Sequence, residues 1–394
     1  MSEPSSRFDA AYRRLIWKTC ALFLSYLAVA MSLPVVSVYV TQRLHFGNAL
    51  GGLAVGIAFL STLATRNHAG VLSDRRGGKP CMMRGLVVYA AASLVCWLSA
   101  WPAWPPAFGY GLLIAGRLLL GCGESLTLIG MLGWSIAQMP TRAGRVLALV
   151  GMGMYGAFAV GGPLGLALFH AFGFAGLMLV CAALPMLGLA MIRGVPEGAL
   201  QHGVRESFWR VLGRIWRPGL TVCLQGVGFA GLGAFISLYF LDQGWAHGGL
   251  GLTCFGAGFV LVRLMCGHLP DRIGGVRVAM VSLAVEAIGQ CILWTAPNAG
   301  MALAGALLTG MGCSMVFPGM GVEVVKRVPP QLRGTAMGGF AAFQDIAYGG
   351  TGPIAGLCAD HFGYPSVFLI GGVAALLGLG MAALTGREDA AAQA

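Results

Sequence analysis

Long apolar runs alternate with short polar segments along the 394-residue chain. Twelve of these runs are long enough for an α-helix to cross the hydrocarbon core of a bilayer, which takes about 20 mainly apolar residues. They cover residues 15–40, 48–69, 80–100, 107–137, 146–170, 174–194, 218–241, 249–268, 276–296, 300–325, 334–358 and 364–386. The pattern predicts an all-α membrane protein with twelve transmembrane helices.

Charged residues are scarce, and their positions predict the orientation of the chain. Asp, Glu, Lys and Arg make up 10% of it, against about 25% in an average soluble protein. The loops at one set of alternate ends hold nearly all basic residues, whereas loops 101–106, 242–248 and 296–300 contain no Lys or Arg. This asymmetry predicts that both termini are cytoplasmic. The net charge of +11 is therefore explained by orientation in a lipid bilayer, which is the expected partner, and binding to nucleic acid is not expected.

A short Gly-rich, charged turn occurs twice. The first copy, after the second run, reads Gly70-Val-Leu-Ser-Asp74-Arg75-Arg-Gly77-Gly-Lys79. The second begins 197 residues later and reads Gly267-His-Leu-Pro-Asp271-Arg272-Ile-Gly274-Gly-Val-Arg277. Gly, Leu, Asp, Arg, Gly and Gly keep the same spacing in both. Glycine suits such a turn because it tolerates positive φ, and the recurrence predicts that one half of the chain repeats the other.

The duplicated turn resembles the signature G-x-L-x-D-R-x-G-R-K of the major facilitator superfamily, which joins helices 2 and 3 and recurs in weaker form between helices 8 and 9. Gly78 departs from the signature, because the family often has Arg there. The resemblance implies two pseudo-symmetric six-helix halves, here 1–195 and 218–394. It also implies a conformational gate formed by Gly70, Asp74, Arg75, Gly77, Lys79, Asp271 and Arg272.

Residues 196–217 form the longest polar interval and the expected cytoplasmic linker between the halves. Apolar residues such as Phe208, Trp209 and Ile215 interleave with its arginines. Part of it is therefore expected to lie on the inner leaflet as an amphipathic helix, and a disordered linker is the alternative.

A Gly-Pro pair recurs at a separation of 190 residues, as Gly162-Pro163 in the fifth run and Gly352-Pro353 in the eleventh. Gly161-Gly162-Pro163-x-Gly165 resembles, imperfectly, the fifth-helix motif of the drug and proton antiporters of the superfamily. That resemblance implies export, with these pairs as part of the gate. Close helix packing explains the glycines equally well.

The fourth run contains two charged residues, Arg117 and Glu124. A charge at the centre of a bilayer costs about 2.5–3.5 kcal/mol on insertion scales, so both should face protein or water. They share a helix face about 10.5 Å apart along the axis, too far for a comfortable ion pair. Each is therefore expected to have another partner, or a water chain links the two. The resemblance implies a role in proton transfer or conformational coupling, and a structural anchor is the alternative. The equivalent stretch of the tenth run, 306–313, lacks both charges.

Two further acids lie at mid-membrane depth. Asp345, in the eleventh run, is a candidate for taking up and releasing protons, although it could instead bond to a neighbouring helix. Glu286 lies in the ninth run, which is a peripheral support in the superfamily, so the resemblance argues against a substrate role for it.

Candidate substrate contacts come from runs 1, 7, 10 and 11. In the superfamily the first three of these line the central cavity, and Gln344 lies one helical turn from Tyr348. The candidates are Tyr26, Gln225, Phe229, Tyr239, Phe317, Gln344 and Tyr348. This set suits a moderately apolar small molecule, with a cation or zwitterion allowed, and ordinary packing would also use such aromatic residues.

The sequence as a whole predicts a monomeric, multi-pass secondary transporter of a bacterial inner membrane that exports a small organic molecule by proton antiport. Glu124, Asp345 and Arg117 are the proton-coupling candidates. The alternative is a proton symporter that imports a sugar or an organic acid. No H-E-x-x-H, G-x-S-x-G or nucleotide-binding loop occurs in the sequence, so neither an enzyme nor ATP drive is expected, and no cofactor or metal is implied.

Overall fold

The computed structural model describes residues 3–139, 143–197, 208–329 and 333–391, and it is helical almost throughout. The α-helices are α1 (Glu3–Val38), α2 (Asn48–Arg76), α3 (Gly78–Leu98), α4 (Pro106–Gln138), α5 (Ala143–Ile192), α6 (Phe208–Asp242), α7 (Leu250–Cys266), α8 (Leu269–Ile273), α9 (Gly275–Trp294), α10 (Ala299–Lys326), α11 (Arg333–Phe362) and α12 (Pro365–Ala391). A π-helical turn, Tyr39–Arg43, extends α1. The predicted all-α membrane fold is confirmed.

The twelve predicted runs are all found as helix within the described residues. Runs five and six lie in α5, which is 50 residues long and breaks at Gly173, where φ is 67° and ψ is −175°. Run eight forms α7 and is followed by the short helix α8. Among the described residues, nine helices are long and apolar enough to cross a membrane, with α5 counted once.

Helix packing divides the chain into two compact units. The first comprises the described parts of Met1–Val35 and Leu60–His202, and the second those of Val36–Phe59 and Gly203–Ala394. The end of α1 and the beginning of α2 therefore pack with the second half of the sequence. The predicted linker, 196–217, overlaps the start of α6 at Phe208, and its residues 198–207 lie outside the described part of the chain.

The duplication predicted from the sequence is visible in the backbone of each unit. Gly77 and Gly274 have nearly the same positive φ, 91° and 92°. Gly173 and Gly363, at equivalent positions of the other repeated segment, have φ values of 67° and 79°. Because side chains with a Cβ rarely adopt this region, the repeat fixes glycine at equivalent turns.

Glycines also let helices within each unit approach closely. A Cβ on Gly78 of α3 would lie 2.5 Å from the carbonyl oxygen of Gly130 in α4, and a Cβ on Gly275 of α9 would overlap the carbonyl oxygen of Gly319 in α10. The α3–α4 pair and the α9–α10 pair therefore pack backbone against backbone.

Lys79, beside the first signature turn, holds the end of α5 and the start of the linker. Its Nζ donates to the carbonyl oxygens of Arg193 and Val195, both at 2.8 Å. The indole Nε1 of Trp134 donates to the carbonyl oxygen of Pro196 at 3.0 Å. Lysine near a helix C-terminus satisfies carbonyl groups that have no partner within the helix.

Replacing Gly77 with Ala is expected to lower the stability of the protein by about 1–3 kcal/mol, because its backbone lies in a region that is essentially restricted to glycine. Its φ is 91° and its ψ is 155°. Gly70→Ala in the same signature is the matched control, since a Cβ at Gly70 would meet nothing within 4 Å. The measurement is the melting temperature of purified protein in one detergent. Equal melting temperatures of the two variants would contradict the assignment.

Candidate functional site

Glu124 is the centre of a buried polar site in the first unit. Only 5% of its surface is exposed. The hydroxyl of Tyr26, from α1, donates to Glu124 Oε1 at 2.8 Å. Thr62 Oγ1, from α2, donates to the carbonyl oxygen of Gly121 at 3.1 Å and lies 3.5 Å from Glu124 Oε2. The carboxyl group therefore has a close hydroxyl donor, and a second hydroxyl lies near its other oxygen.

Arg117 lies two turns before Glu124 on α4 and has a different partner. Its side chain is 1% exposed, and Nη1 donates to Ser32 Oγ of α1 at 3.3 Å. The expectation from the seven-residue spacing, that each charge needs its own partner, is confirmed. Cys96 and Cys181 are among the electrostatic neighbours of the guanidinium.

Tyr89 of α3 lies within electrostatic range of both charged residues. Its hydroxyl is buried and has no hydrogen-bond partner among the described residues. A hydroxyl can donate and accept, so this group is suited to bond to either a carboxyl group or a guanidinium. The site thus combines a carboxyl group, a guanidinium and neutral hydroxyl groups inside one helix bundle, which makes it a candidate for function.

Asp345 lies in the second unit, on α11, and is 5% exposed. One turn later, Tyr348 is in an aromatic group with Phe59 of α2 and Phe229 of α6. The ring centroid of Tyr348 lies 5.1 Å from that of Phe59 and 5.0 Å from that of Phe229. The structure thus places two predicted substrate contacts, Phe229 and Tyr348, against each other.

The remaining predicted contacts lie in other places. Gln344 is half-buried on α11. Tyr239 donates from its hydroxyl to the carbonyl oxygen of Leu293 at 3.3 Å, and Phe317 packs on Phe340 with ring centroids 4.6 Å apart. Gln225 is buried and is an electrostatic neighbour of Glu286 rather than of the aromatic group.

The predicted gate residues Gly352 and Pro353 lie where α11 packs against the beginning of α2, within the second unit. A Cβ on Gly352 would overlap the carbonyl oxygen of Gly52, and a Cβ on Gly56 would lie 2.5 Å from the carbonyl oxygen of Gly349. The two helices therefore touch through their backbones, and any larger residue at these positions would separate them.

Asp360, at the end of α11, caps the start of α2. Its carboxylate accepts from the backbone N–H groups of Asn48 and Ala49 at 3.2 and 3.3 Å and from Asn48 Nδ2 at 2.8 Å. The hydroxyl of Tyr364 donates to Asn48 Oδ1 at 3.0 Å. An acid at a helix N-terminus satisfies free N–H groups and the helix dipole.

The other Gly-Pro pair, Gly162 and Pro163, lies on α5 in the first unit. Its neighbours Gly161 and Gly165 meet α1, where a Cβ on either would overlap Ala30 or Met31. The close packing of α5 against α1 therefore explains why these positions are glycine.

The signature residues differ in their surroundings. Asp74 and Arg75 are exposed, as is Arg272 in the second copy, whereas Gly77 is buried. Gly70 borders open space. The side chain of Asp271 lies outside the described residues.

The sequence did not identify several residues around the predicted charges. Ser32, Thr62 and Tyr89 reach Arg117 or Glu124 from three other helices. Phe59 joins the aromatic group from α2. Small hydroxyl and aromatic residues are common in apolar helices, and only the packing of helices distant in sequence selects these particular ones.

Comparison with sequences of known families gives consistent matches. The model described as Major Facilitator Superfamily matches residues 19–251 and 219–393 of the chain. An uncharacterised MFS-type transporter of Salmonella typhimurium is 44% identical over 371 residues, which cover 94% of this chain and 96% of the relative. An uncharacterised MFS-type transporter of Burkholderia pseudomallei is 39% identical over 370 residues, which cover 93% of this chain and 91% of the relative.

Two solved structures share the fold. A mutant of the nucleoside transporter NupG superposes with a TM-score of 0.75 at 13% identity, covering 94% of this chain and 99% of that one. A D-xylose-proton symporter superposes with a TM-score of 0.77 at 17% identity, covering 93% and 97%. At such low identity, the likeness is one of fold alone.

Replacing Gly352 with Ala is expected to lower stability by about 1–3 kcal/mol, because the added methyl group overpacks the backbone contact between α11 and α2. Gly350→Ala is the matched control on the same helix, where a Cβ would meet nothing within 4 Å. Helix propensity changes equally in both variants, so their difference in melting temperature isolates the contact. A control that melts as low as Gly352→Ala would contradict this prediction.

Proposed function

Because the chain belongs to the major facilitator superfamily, we propose that it exports a small organic molecule from a bacterial cell in exchange for protons. The protein is a multi-pass membrane protein and a secondary transporter, not an enzyme. We place it in the inner membrane as a monomer, with both termini in the cytoplasm. The two halves alternate between outward and inward openings around a site near mid-membrane depth.

The observation that carries the proposal is the buried carboxyl group of Glu124, which accepts from the hydroxyl of Tyr26 and lies near the hydroxyl of Thr62. An ionised carboxylate at this depth is costly unless it is hydrogen-bonded or paired. Hydroxyl groups can serve the charged form as donors and the protonated form as acceptors. Glu124 can therefore hold or release a proton without rebuilding its surroundings, while Arg117, two turns away, stabilises the charged form.

Asp345 is the proposed second protonation site, beside the aromatic group of Phe229 and Tyr348. Aromatic rings with a nearby acid favour a moderately apolar molecule, and a cationic one most of all. Release of the proton from Asp345 when substrate binds at the neighbouring aromatic group would couple their opposite movements. Gln344 adds a neutral polar group one turn before Tyr348.

Export is favoured over import by the Gly161-Gly162-Pro163 sequence, which resembles the antiporter motif of the fifth helix. The basic loops of the signature turns support a cytoplasmic location for those turns. Asp74 and its basic neighbours are proposed to hold the two halves together there in one state of the cycle.

The alternative is a proton symporter that imports a sugar or an organic acid. The fold is compatible with it, since one of the structural neighbours is a D-xylose-proton symporter. The direction of accumulation in intact cells separates the two proposals. An exporter lowers the internal concentration of its substrate when the proton gradient is present, and a symporter raises it.

The proton assignment is tested with everted membrane vesicles whose lumen is acidified by respiration. A panel containing ethidium, a fluoroquinolone, D-xylose and a nucleoside is added while a fluorescent dye reports the pH gradient. A substrate of an antiporter dissipates the gradient as it enters the lumen. Glu124→Gln and Asp345→Asn are each expected to abolish this response while substrate binding, measured by thermal shift, is retained.

The control variant is Glu323→Gln, which removes a different buried acid. Glu323 pairs with Lys326 at 3.0 Å near the end of α10. It is expected to keep the response of the wild type. Retention of gradient-driven uptake by both test variants would show that the proton assignment is wrong.

A further inference from the structure

A second buried acid, Glu286, lies in the second unit and has no role in the proposed function. Its side chain on α9 is 0% exposed. Gln225 of α6 and Cys313 of α10 are its electrostatic neighbours. Gln290 stands one turn further along α9, where its Nε2 donates to the carbonyl oxygen of Gly228 at 3.3 Å. These residues belong to one unit, so their arrangement does not depend on how the two units meet.

Several oxygen atoms in this pocket have no well-formed hydrogen bond. Gln225 and Cys313 are the side chains within hydrogen-bonding reach of the carboxyl group, but neither oxygen of Glu286 has a well-directed donor among the described residues, and neither do Gln225 Oε1 and Gln290 Oε1. Buried oxygen atoms without donors destabilise the folded protein. A proton on Glu286 supplies the missing donor, because the neutral acid can then bond to an amide oxygen.

The groups that face Glu286 from every packed element are neutral. Gln225 and Gly228 face it from α6, and Gly312 and Cys313 from α10. From α12, Gly371 closes the pocket beside Gln290. Among the described residues, Cys313 is the one other titratable group that acts on it. A carboxylate here would be a buried charge without a counter-charge, which costs several kcal/mol.

The pocket of Glu286 in the second unit is equivalent, by the internal repeat, to the pocket of Glu124 in the first unit. A Cβ on Gly123 would lie 2.9 Å from the backbone nitrogen of Tyr89, and a Cβ on Gly312 would overlap the backbone nitrogen of Glu286. Tyr89 and Glu286 are therefore equivalent in the α3–α4 and α9–α10 pairs. The residues after the two glycines are Glu124 and Cys313. Each unit thus has an acid in the equivalent pocket between its helices. In the first unit α4 supplies the acid, and in the second unit α9 supplies it.

We propose that Glu286 is a further proton-binding site of the transporter, protonated in this conformation and deprotonated when its pocket opens during the cycle. The inference rests on the proposed proton coupling for its role in transport, but the binding of the proton itself does not. Gln225 Oε1 accepts the hydrogen bond of the protonated acid, and the loss of that bond accompanies release.

The first test reads the protonation state directly and needs no substrate. Infrared spectra of the purified protein are recorded from acid to alkaline pH, and the spectrum of Glu286→Gln is subtracted. The difference is expected to contain one carboxylic C=O band that disappears at alkaline pH. The difference between the wild type and Glu323→Gln is expected to lack this band, because that variant keeps Glu286. Absence of the band at every pH, or its persistence at every pH, would overturn the proposal.

A second variant keeps this test decisive if Glu286→Gln does not fold. Gln225→Leu removes one acceptor and leaves the acid in place, so the band is expected to shift to higher frequency. An unshifted band would mean that this amide does not hold the proton, contrary to the proposal.

The second test uses the everted vesicles and the same panel of compounds. Glu286→Gln is expected to lose the gradient-driven response that Glu323→Gln keeps. An unchanged response in Glu286→Gln would remove Glu286 from the cycle, and would leave the assignment of Glu124 and Asp345 intact. A failure of the proposed function would give a different result. Glu124→Gln and Asp345→Asn would then keep the gradient-driven response, while the infrared band of Glu286 would still be present.

Discussion

The hydrocarbon core of a membrane offers no hydrogen-bond partner, so every polar group at that depth must be satisfied within the protein. Helices satisfy the backbone, and the charged side chains at depth lie inside the bundles. Arg117, Glu124, Asp345 and Glu286 are each 5% exposed or less. Some buried oxygens, including both of Glu286, still lack a well-directed donor among the described residues. Charged residues retained at such cost are candidates for function.

Close helix packing is the second condition for these sites. Side chains from three or four helices must converge on one carboxyl group, and they do so because glycines bring the helix backbones together. The same glycines that position Tyr89 beside Glu124 have counterparts beside Glu286. Where α2 meets α11, backbone contact and the Asp360 cap combine in a short stretch. Such an interface tolerates no larger residue at its glycines.

The duplicated architecture gives the two units similar pockets with different chemistry. In the first unit the acid has a close hydroxyl donor, a second hydroxyl nearby and an arginine within electrostatic range. In the second unit the facing groups are amides, a thiol and glycines. A hydrogen-bonded acid and a poorly solvated one respond to the same change in pH at different stages. Two such acids would allow proton movement to accompany more than one conformational step.

The sequence alone determined the helical membrane fold, the twelve helical runs, the repeat and the charges that lie in mid-run, because these follow from local hydropathy and from motifs that recur along the chain. It did not indicate that Lys18 and Glu323 are also buried. It did not reveal that Thr62 and Tyr26 bind Glu124, that Asp360 caps α2, or that Glu286 occupies the pocket equivalent to that of Glu124. Those relations join residues on different helices, often far apart in sequence. Only the packing of the helices brings them within hydrogen-bonding distance, and helical periodicity carries no information about which helices become neighbours.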